Sequence, residues 1–321
     1  MMNEAAATAY ENPATTELRE LAQEQFRNNL SLFGDLYVKN FNDVWPRVMR
    51  LAGVKNWFDA FAGTAAVIVG GGPSLDAAAI ESLRRVKGRA MIVAVDAVYE
   101  ELLAAGIVPD LVVTGDPQDH AGKFFRAHRN GTLVAACGWQ SASVINELPI
   151  NDLAIYSLYY PGHPVWDQVF EKQYKDPNRY GRIPGGATVD TMAAGLLMQM
   201  RALNIAVVGV DLSFEREADR RDGSPLLNAT DINGKEVFTS TNFHTSRLWY
   251  RDHARQAREL RELRERPDRH WFSDLRWVNC GGGILGAEDE FELMGLEDFA
   301  ERFGAEKERN FAWELRKRLR R

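Results

Sequence analysis

Cysteine is nearly absent from this sequence. Of its 321 residues only Cys137 and Cys280 are cysteines, too few for a disulfide framework or a zinc site built on thiolates. Long apolar runs are missing as well. No stretch approaches the roughly 18 consecutive apolar residues that a membrane-spanning helix requires, so no membrane span is expected. The opening stretch, MMNEAAATAYENPATTELRE, has neither a basic n-region nor an apolar h-region; it does not read as a secretory signal, and the expected compartment is cytoplasmic. An excess of positive charge is lacking too. The net charge is −6 and the isoelectric point about 5.6, which argues against nucleic acid or an anionic membrane as the main partner. No Gly-Lys-Ser/Thr follows the glycine-rich stretch, which excludes a P-loop, and no His-x-x-x-His pair points to zinc.

What the chain does have is enough apolar material, 45%, for a full core. Residues 1–16 are small and polar and read as a disordered tail. Residues 17–60 read as a helical leader (Leu18, Leu21, Phe26, Leu30, Leu32, Leu36 and Val48 carry the pattern), interrupted at Pro46. From residue 61 to 304 short apolar, β-branched runs alternate with helical segments. The runs are 65–70, 91–96, 111–116, 132–137, 153–159 and 205–211, with a last one at 276–280. That alternation predicts an α/β, Rossmann-like fold: a mostly parallel sheet with helices on both faces. Residues 215–243 break the rhythm, and Asn233-Gly234 within them predicts a hairpin that could serve as a lid. Residues 305–321 read as a basic C-terminal helix, suited to docking a partner or to capping the domain.

Ligands bind open parallel sheets at the carboxyl ends of the strands. Here those ends carry glycines and carboxylates. The first strand ends in Gly70-Gly71-Gly72-Pro73-Ser74-Leu75, the second in Asp96, the third in Asp116, and the 205–211 strand in Asp211. Gly185 and Gly186 lead into the helix expected from Ala187 to Leu203. Each of these is also an ordinary turn residue. Together they predict a phosphate site, with glycines admitting close backbone approach, the next helix offering free N–H groups, and Ser74 adding a hydroxyl.

The blocks VIVGGGPSLD and AAGIVPDLVVTGDPQ, then PGGATVDTMAAGLLMQMRALNIAVVGVDLSF, resemble the central domain of the bacterial Maf (motility accessory factor) flagellin glycosyltransferases. They also resemble the 6-hydroxymethylpterin diphosphokinase MptE-like domain, also termed DUF115. The resemblance runs over roughly residues 45 to 300. A fainter similarity extends to bacterial sialyltransferases that use CMP-activated sugars, which carry Asn where this chain has Asp96 and Asp116. The resemblance implies a transferase with a nucleotide or nucleotide-sugar ligand and a protein or small-molecule acceptor. Gly70, Gly71, Gly72, Pro73, Ser74, Asp96, Asp116, Gly185 and Gly186 would then line the nucleotide, and Asp116 and Asp211 would orient donor or metal.

A sugar transfer needs a base for the acceptor hydroxyl, a role that suits histidine near neutral pH. His244, expected between the hairpin and the following helix, is the first candidate, and His120, behind Asp116, its rival. Arg247, Arg251, Arg255, Arg258, Arg261 and Arg264 run down that helix beside Glu259, Glu262 and Glu265, a spacing that predicts ion pairs along a solvated face; Arg247, nearest the rim, could instead meet a sugar carboxylate or phosphate. Tyr159 and Tyr160 end a strand and could touch a leaving phosphate. The alternatives are an ATP- and Mg²⁺-dependent diphosphokinase, with Mg²⁺ carried by Asp96 and Asp116, Asp116 being the first metal candidate, and a non-catalytic nucleotide-binding scaffold. No other cofactor is implied.

Overall fold

The computed structural model describes residues 16–128, 131–158, 179–219, 225–262 and 271–319; along 16–30 it describes the backbone and the side chains of Glu20, Leu21, Glu24 and Arg27. The tail 1–15, Tyr159, Tyr160, Arg264, Glu265, and the side chains of Leu18, Phe26 and Leu30 lie outside these residues. Helix α1 (Thr16–Val48) runs through Pro46 without a break. Pro46 falls in the last turn, where only one backbone bond is forfeited and the Met49 N–H still reaches the Trp45 carbonyl at 3.0 Å. The second half of α1 packs on the body through Phe41, Val44 and Val48, whereas Leu32 is exposed.

The leader also contributes a strand. β1 (Ala52–Gly53) pairs in parallel with β6 (Leu153–Leu158) at one edge of the sheet. Between these come β2 (Ala65–Val69), β3 (Met91–Val95), β4 (Leu111–Thr114) and β5 (Leu133–Cys137), followed after β6 by β7 (Arg182–Ile183) and β8 (Asn204–Val208). β11 (Arg276–Asn279) and β12 (Phe291–Leu293) complete the sheet, whose order is β1-β6-β5-β4-β3-β2-β8-β11-β12, with β7 on β6. Every pairing in it is parallel. All residues of β2 to β6 are buried, as expected of continuous apolar strands covered on both faces. β12 has no counterpart in the sequence reading, because Phe-Glu-Leu is too short to show a period.

Helix α2 (Ala77–Val86) joins β2 to β3 and is capped by Asp76, whose carboxylate accepts from the Ala79 N–H at 2.8 Å. Helix α3 (Tyr99–Ala104) and the short α4 (Ala142–Ile145) follow, and α5 (Val189–Gln199) lies across β2, β3 and β4. The expected hairpin is present as β9 (Leu226–Thr230) and β10 (Glu236–Ser240), antiparallel, with Gly234 at φ +81° in its tip. Helix α6 (Thr241–Glu262) begins immediately after β10, earlier than expected. Helix α7 (Leu296–Phe303) follows β12 and packs beside α2.

Helix α8 (Phe311–Leu319) caps the domain. It buries Phe311 and Leu315, and its Leu315 carbonyl accepts from the Trp57 indole. Two of its basic residues reach the body, Arg316 donating to the Asn151 carbonyl and Arg318 to that of Ala60, while Lys317 is exposed. Among the described residues no helix is long and apolar enough to cross a membrane.

Candidate functional site at the carboxyl rim of the sheet

From β2 the chain steps outward through β3, β4, β5 and β6, then returns to place β8 on the other side of β2. The topological switch point, where an open α/β sheet forms its ligand crevice, therefore lies between the ends of β2 and β8. There the Gly70–Leu75 loop meets Gly209–Asp211. Gly70 N–H donates to the Val208 carbonyl at 2.9 Å, Gly72 N–H to that of Gly209 at 2.7 Å, and Leu75 N–H to that of Gly72 at 3.0 Å. Ser74 N–H donates to Oδ2 of Asp211 at 3.0 Å, and Ser74 Oγ accepts from Gly209 N–H at 3.1 Å. A Cβ on Gly72 would overlap the Asp211 carboxylate, so the glycine there answers first to this close approach. Gly209 sits at φ +67°, the left-handed region that glycine tolerates.

These bonds change the expected roles. The donors of Gly70, Gly72 and Ser74 serve the protein's own backbone and Asp211. Asp211, expected among the catalytic residues, is buried behind the loop. Burial raises its pKa, while the backbone and hydroxyl bonds from Ser74 oppose that rise. A second glycine run, Gly281-Gly282-Gly283, closes over the same pair: Ile284 N–H bonds the Asp211 carbonyl at 3.0 Å, and a Cβ on Gly282 would lie 3.0 Å from Asp211 Oδ1. The sequence reading missed this run, although three glycines directly behind an expected strand were a legible signal.

Asp96 stands at the end of β3 and is buried. Its Oδ2 accepts from Thr114 Oγ1 at 2.6 Å, its Oδ1 from the Ala97 N–H at 2.8 Å, and behind Thr114 the Gln140 amide donates to Oγ1 at 2.8 Å. Its pKa is pushed up to about 6, by burial first and then by Asp116, against the Thr114 and Ala97 bonds and His120. Gln140 is fully buried, and its Oε1 has no bond partner among the described residues.

Asp116 follows β4 and is partly exposed, its Oδ1 fixed by the Gln118 N–H at 2.9 Å. Its Oδ2 lies 3.2 Å from Nε2 of His120, whose side chain is 47% exposed and so open to a ligand. The ends of β4 and β5 are pinned from above by α1. Buried Asn40 donates to the carbonyls of Pro117 at 2.6 Å and Trp139 at 3.2 Å, and Tyr37 stacks edge-on against Trp139. Burial raises the Tyr37 pKa, with Cys137 and Asp116 adding to the effect. Nothing in the sequence marks Asn40, Tyr37 or Gln140, whose partners lie far away along the chain.

Gly185 and Gly186 pack against the start of α5, where Gly186 N–H donates to Thr191 Oγ1 at 2.8 Å. The start of α5 is tied to α6 by Thr188 and Ser246, hydroxyl to hydroxyl at 2.8 Å, and by Tyr250 donating to Asp190 at 2.9 Å. His244 is not in a linking loop: because α6 begins at Thr241, it lies in that helix's first turn, partly buried. Arg247 does not reach toward the rim either. Its guanidinium bonds buried Asp289 at 2.9 Å and Glu288 at 2.9 Å. Arg255 and Arg258 make the expected pairs, with Glu259 and Glu262.

Among the described residues no group of three or more His, Cys, Asp or Glu side chains is arranged to hold a metal ion. Asp116 alone would hold Mg²⁺ only with phosphate oxygens and water supplying the remaining ligands.

The family described as 6-hydroxymethylpterin diphosphokinase MptE-like matches residues 39–217, more than half the chain. Among solved structures, the Maf glycosyltransferase from Magnetospirillum magneticum AMB-1 is similar with a TM-score of 0.55 at 17% identity, a likeness of fold. The match covers 83% of this chain and 40% of that one, so the chain spans well under half that protein's length. No curated protein matches the sequence.

Proposed function

This chain belongs to the 6-hydroxymethylpterin diphosphokinase MptE-like family, and from that premise we propose that it is a transferase acting on a nucleotide-activated sugar. The nucleotide would lie over the switch point and along the ends of β3 and β4, beside Asp96, with Gly185 and Gly186 lining its far side. The acceptor would be a hydroxyl of a protein, a glycan or a small molecule. In this reading residues 61–304 form the transferase domain, and the β9–β10 hairpin within the expected 215–243 insertion is its lid.

The observation that carries the reading is the Asp116–His120 pair. A carboxylate 3.2 Å from Nε2 favours the tautomer with its proton there, which leaves Nδ1 to accept the proton of an acceptor hydroxyl. Asp116 then stabilises the imidazolium that forms. His120 takes the role that the sequence assigned to His244 because it is exposed in the Asp119–Phe125 turn that follows β4, with Asp116 beside it. Sugar transfer fits an acid–base pair of this kind. Phosphoryl transfer chiefly demands neutralisation of phosphate charge, which three carboxylates at the rim do not supply.

One observation favours the diphosphokinase reading. Asp96 and Asp116, on neighbouring strand ends, are close enough for the charge of Asp116 to raise the pKa of Asp96. A divalent ion brought in by ATP would relieve that repulsion.

A thermal-shift panel with CMP, CDP, UDP, GDP and ATP, each with and without Mg²⁺, separates the readings. A ligand at a hundred times its Kd stabilises a fold by about 2.7 kcal/mol, a readily measured shift. The glycosyltransferase reading expects stabilisation by a pyrimidine or guanine nucleotide without metal. Stabilisation by ATP alone, and only with Mg²⁺, would overturn it.

A further inference from the structure

The Gly70–Leu75 loop has the composition of a phosphate cradle, yet its centre is already taken. The Asp211 carboxylate accepts from the Ser74 backbone N–H at 3.0 Å, and the Ser74 hydroxyl accepts from the Gly209 N–H beside it at 3.1 Å. The carboxylate sits where the absent side chain of Gly72 would be, and Gly282 faces its other oxygen. Two glycine runs separated by most of the domain, Gly70–Gly72 and Gly281–Gly283, thus converge on one carboxylate, 5% exposed; the first packs on the Gly209 carbonyl and the second on the Asp211 backbone. A carboxylate is costly to bury and is retained where donors are aimed at it.

We infer that Asp211 is a resident anion: its carboxylate fills the glycine socket at the switch point in place of a ligand phosphate, and the backbone N–H of Ser74 is reserved for it. Gly72 and Gly282 are explained by their packing on that carboxylate, and Gly70, Gly281 and Gly283 by theirs on Gly209, Ser74 and the Asp211 backbone; none needs a ligand. A nucleotide binding at this rim therefore does so without displacing Asp211 and without a contact to Ser74. The inference stands on the socket's geometry and holds whichever group the enzyme transfers.

Removing the carboxylate should turn the socket into a true anion site. The test is Asp211→Ala in the full chain, followed by thermal melting in formate, inorganic phosphate and chloride at equal ionic strength, beside wild type and Asp211→Asn. The expected result is a lower melting temperature for Asp211→Ala that formate or phosphate raises by several degrees over chloride. Wild type and Asp211→Asn, whose sockets stay filled, should show no such rise. If Asp211→Ala folds poorly, the same anions are added during refolding and native helicity is scored by circular dichroism, with recovery expected in formate or phosphate alone. An equal response of wild type to phosphate, or no anion-specific response of Asp211→Ala in either assay, would overturn the inference.

Discussion

The Thr114 hydroxyl donates to Oδ2 of Asp96 at 2.6 Å, and the Gln140 amide donates to that same hydroxyl at 2.8 Å. Because Gln140 supplies a proton to Thr114, the hydroxyl's own proton is committed to Asp96. The relay holds a buried carboxyl at the rim with one oxygen fixed as acceptor.

That arrangement makes stability depend on pH in a stated direction. The folded-state pKa of Asp96 is raised, from 3.8 to about 6, so the folded protein binds the proton more tightly than the unfolded chain. The protein should be most stable, as far as this group is concerned, below pH 4, and should lose stability as pH rises from 4 to 6. A shift of about two units corresponds to on the order of 2–3 kcal/mol. Asp96→Asn, which keeps an acceptor for Thr114, should flatten that part of the curve and be at least as stable as wild type at pH 8. Urea denaturation from pH 4 to 8 measures both.

The glycine loop yields a paired prediction. Gly72→Ala drives a methyl group into Asp211 and the Gly209 carbonyl and should cost about 2–3 kcal/mol, the scale of a core overpacked against backbone. At Gly71 a Cβ would meet nothing nearer than Val98 at 3.9 Å, so Gly71→Ala should stay within about 0.5 kcal/mol. Equal losses at the two positions would show that the Asp211 contact does not set the requirement.

Asn40 tests whether α1 belongs to the site. Asn40→Ala leaves the Pro117 and Trp139 carbonyls without their donor, at a cost of about 1–3 kcal/mol for a buried unpaired group. Those carbonyls flank Asp116 and β5's end, so nucleotide affinity should fall as well. The check is titration calorimetry at a temperature where the variant is fully folded.

The parallel sheet was legible because its strands are continuous apolar runs and their spacing admits only crossover connections. The hairpin was legible from Asn233-Gly234. β12 and the early start of α6 were not: three residues carry no period, and Thr241, Asn242 and His244 are polar residues around a single apolar one, Phe243, too few to show a helical period. For the site, sequence named the strand-end residues Asp96, Asp116 and Asp211, but not what each touches. Whether Ser74 faces a ligand or Asp211 depends on a contact spanning 137 positions, which no local pattern encodes.

The most direct test of the transferase reading is ³¹P NMR of nucleotide-activated sugars, with CMP-, UDP- and GDP-linked donors each incubated with wild type, His120→Gln and His244→Gln in metal-free buffer. The account predicts release of free nucleotide from one donor class by wild type, loss of roughly 10²–10⁴-fold in rate on removing the base in His120→Gln, and near-normal turnover in His244→Gln. Turnover unaffected by His120→Gln would contradict the assigned base. No release from any donor, with ATP consumed instead when Mg²⁺ is present, would contradict the reading itself.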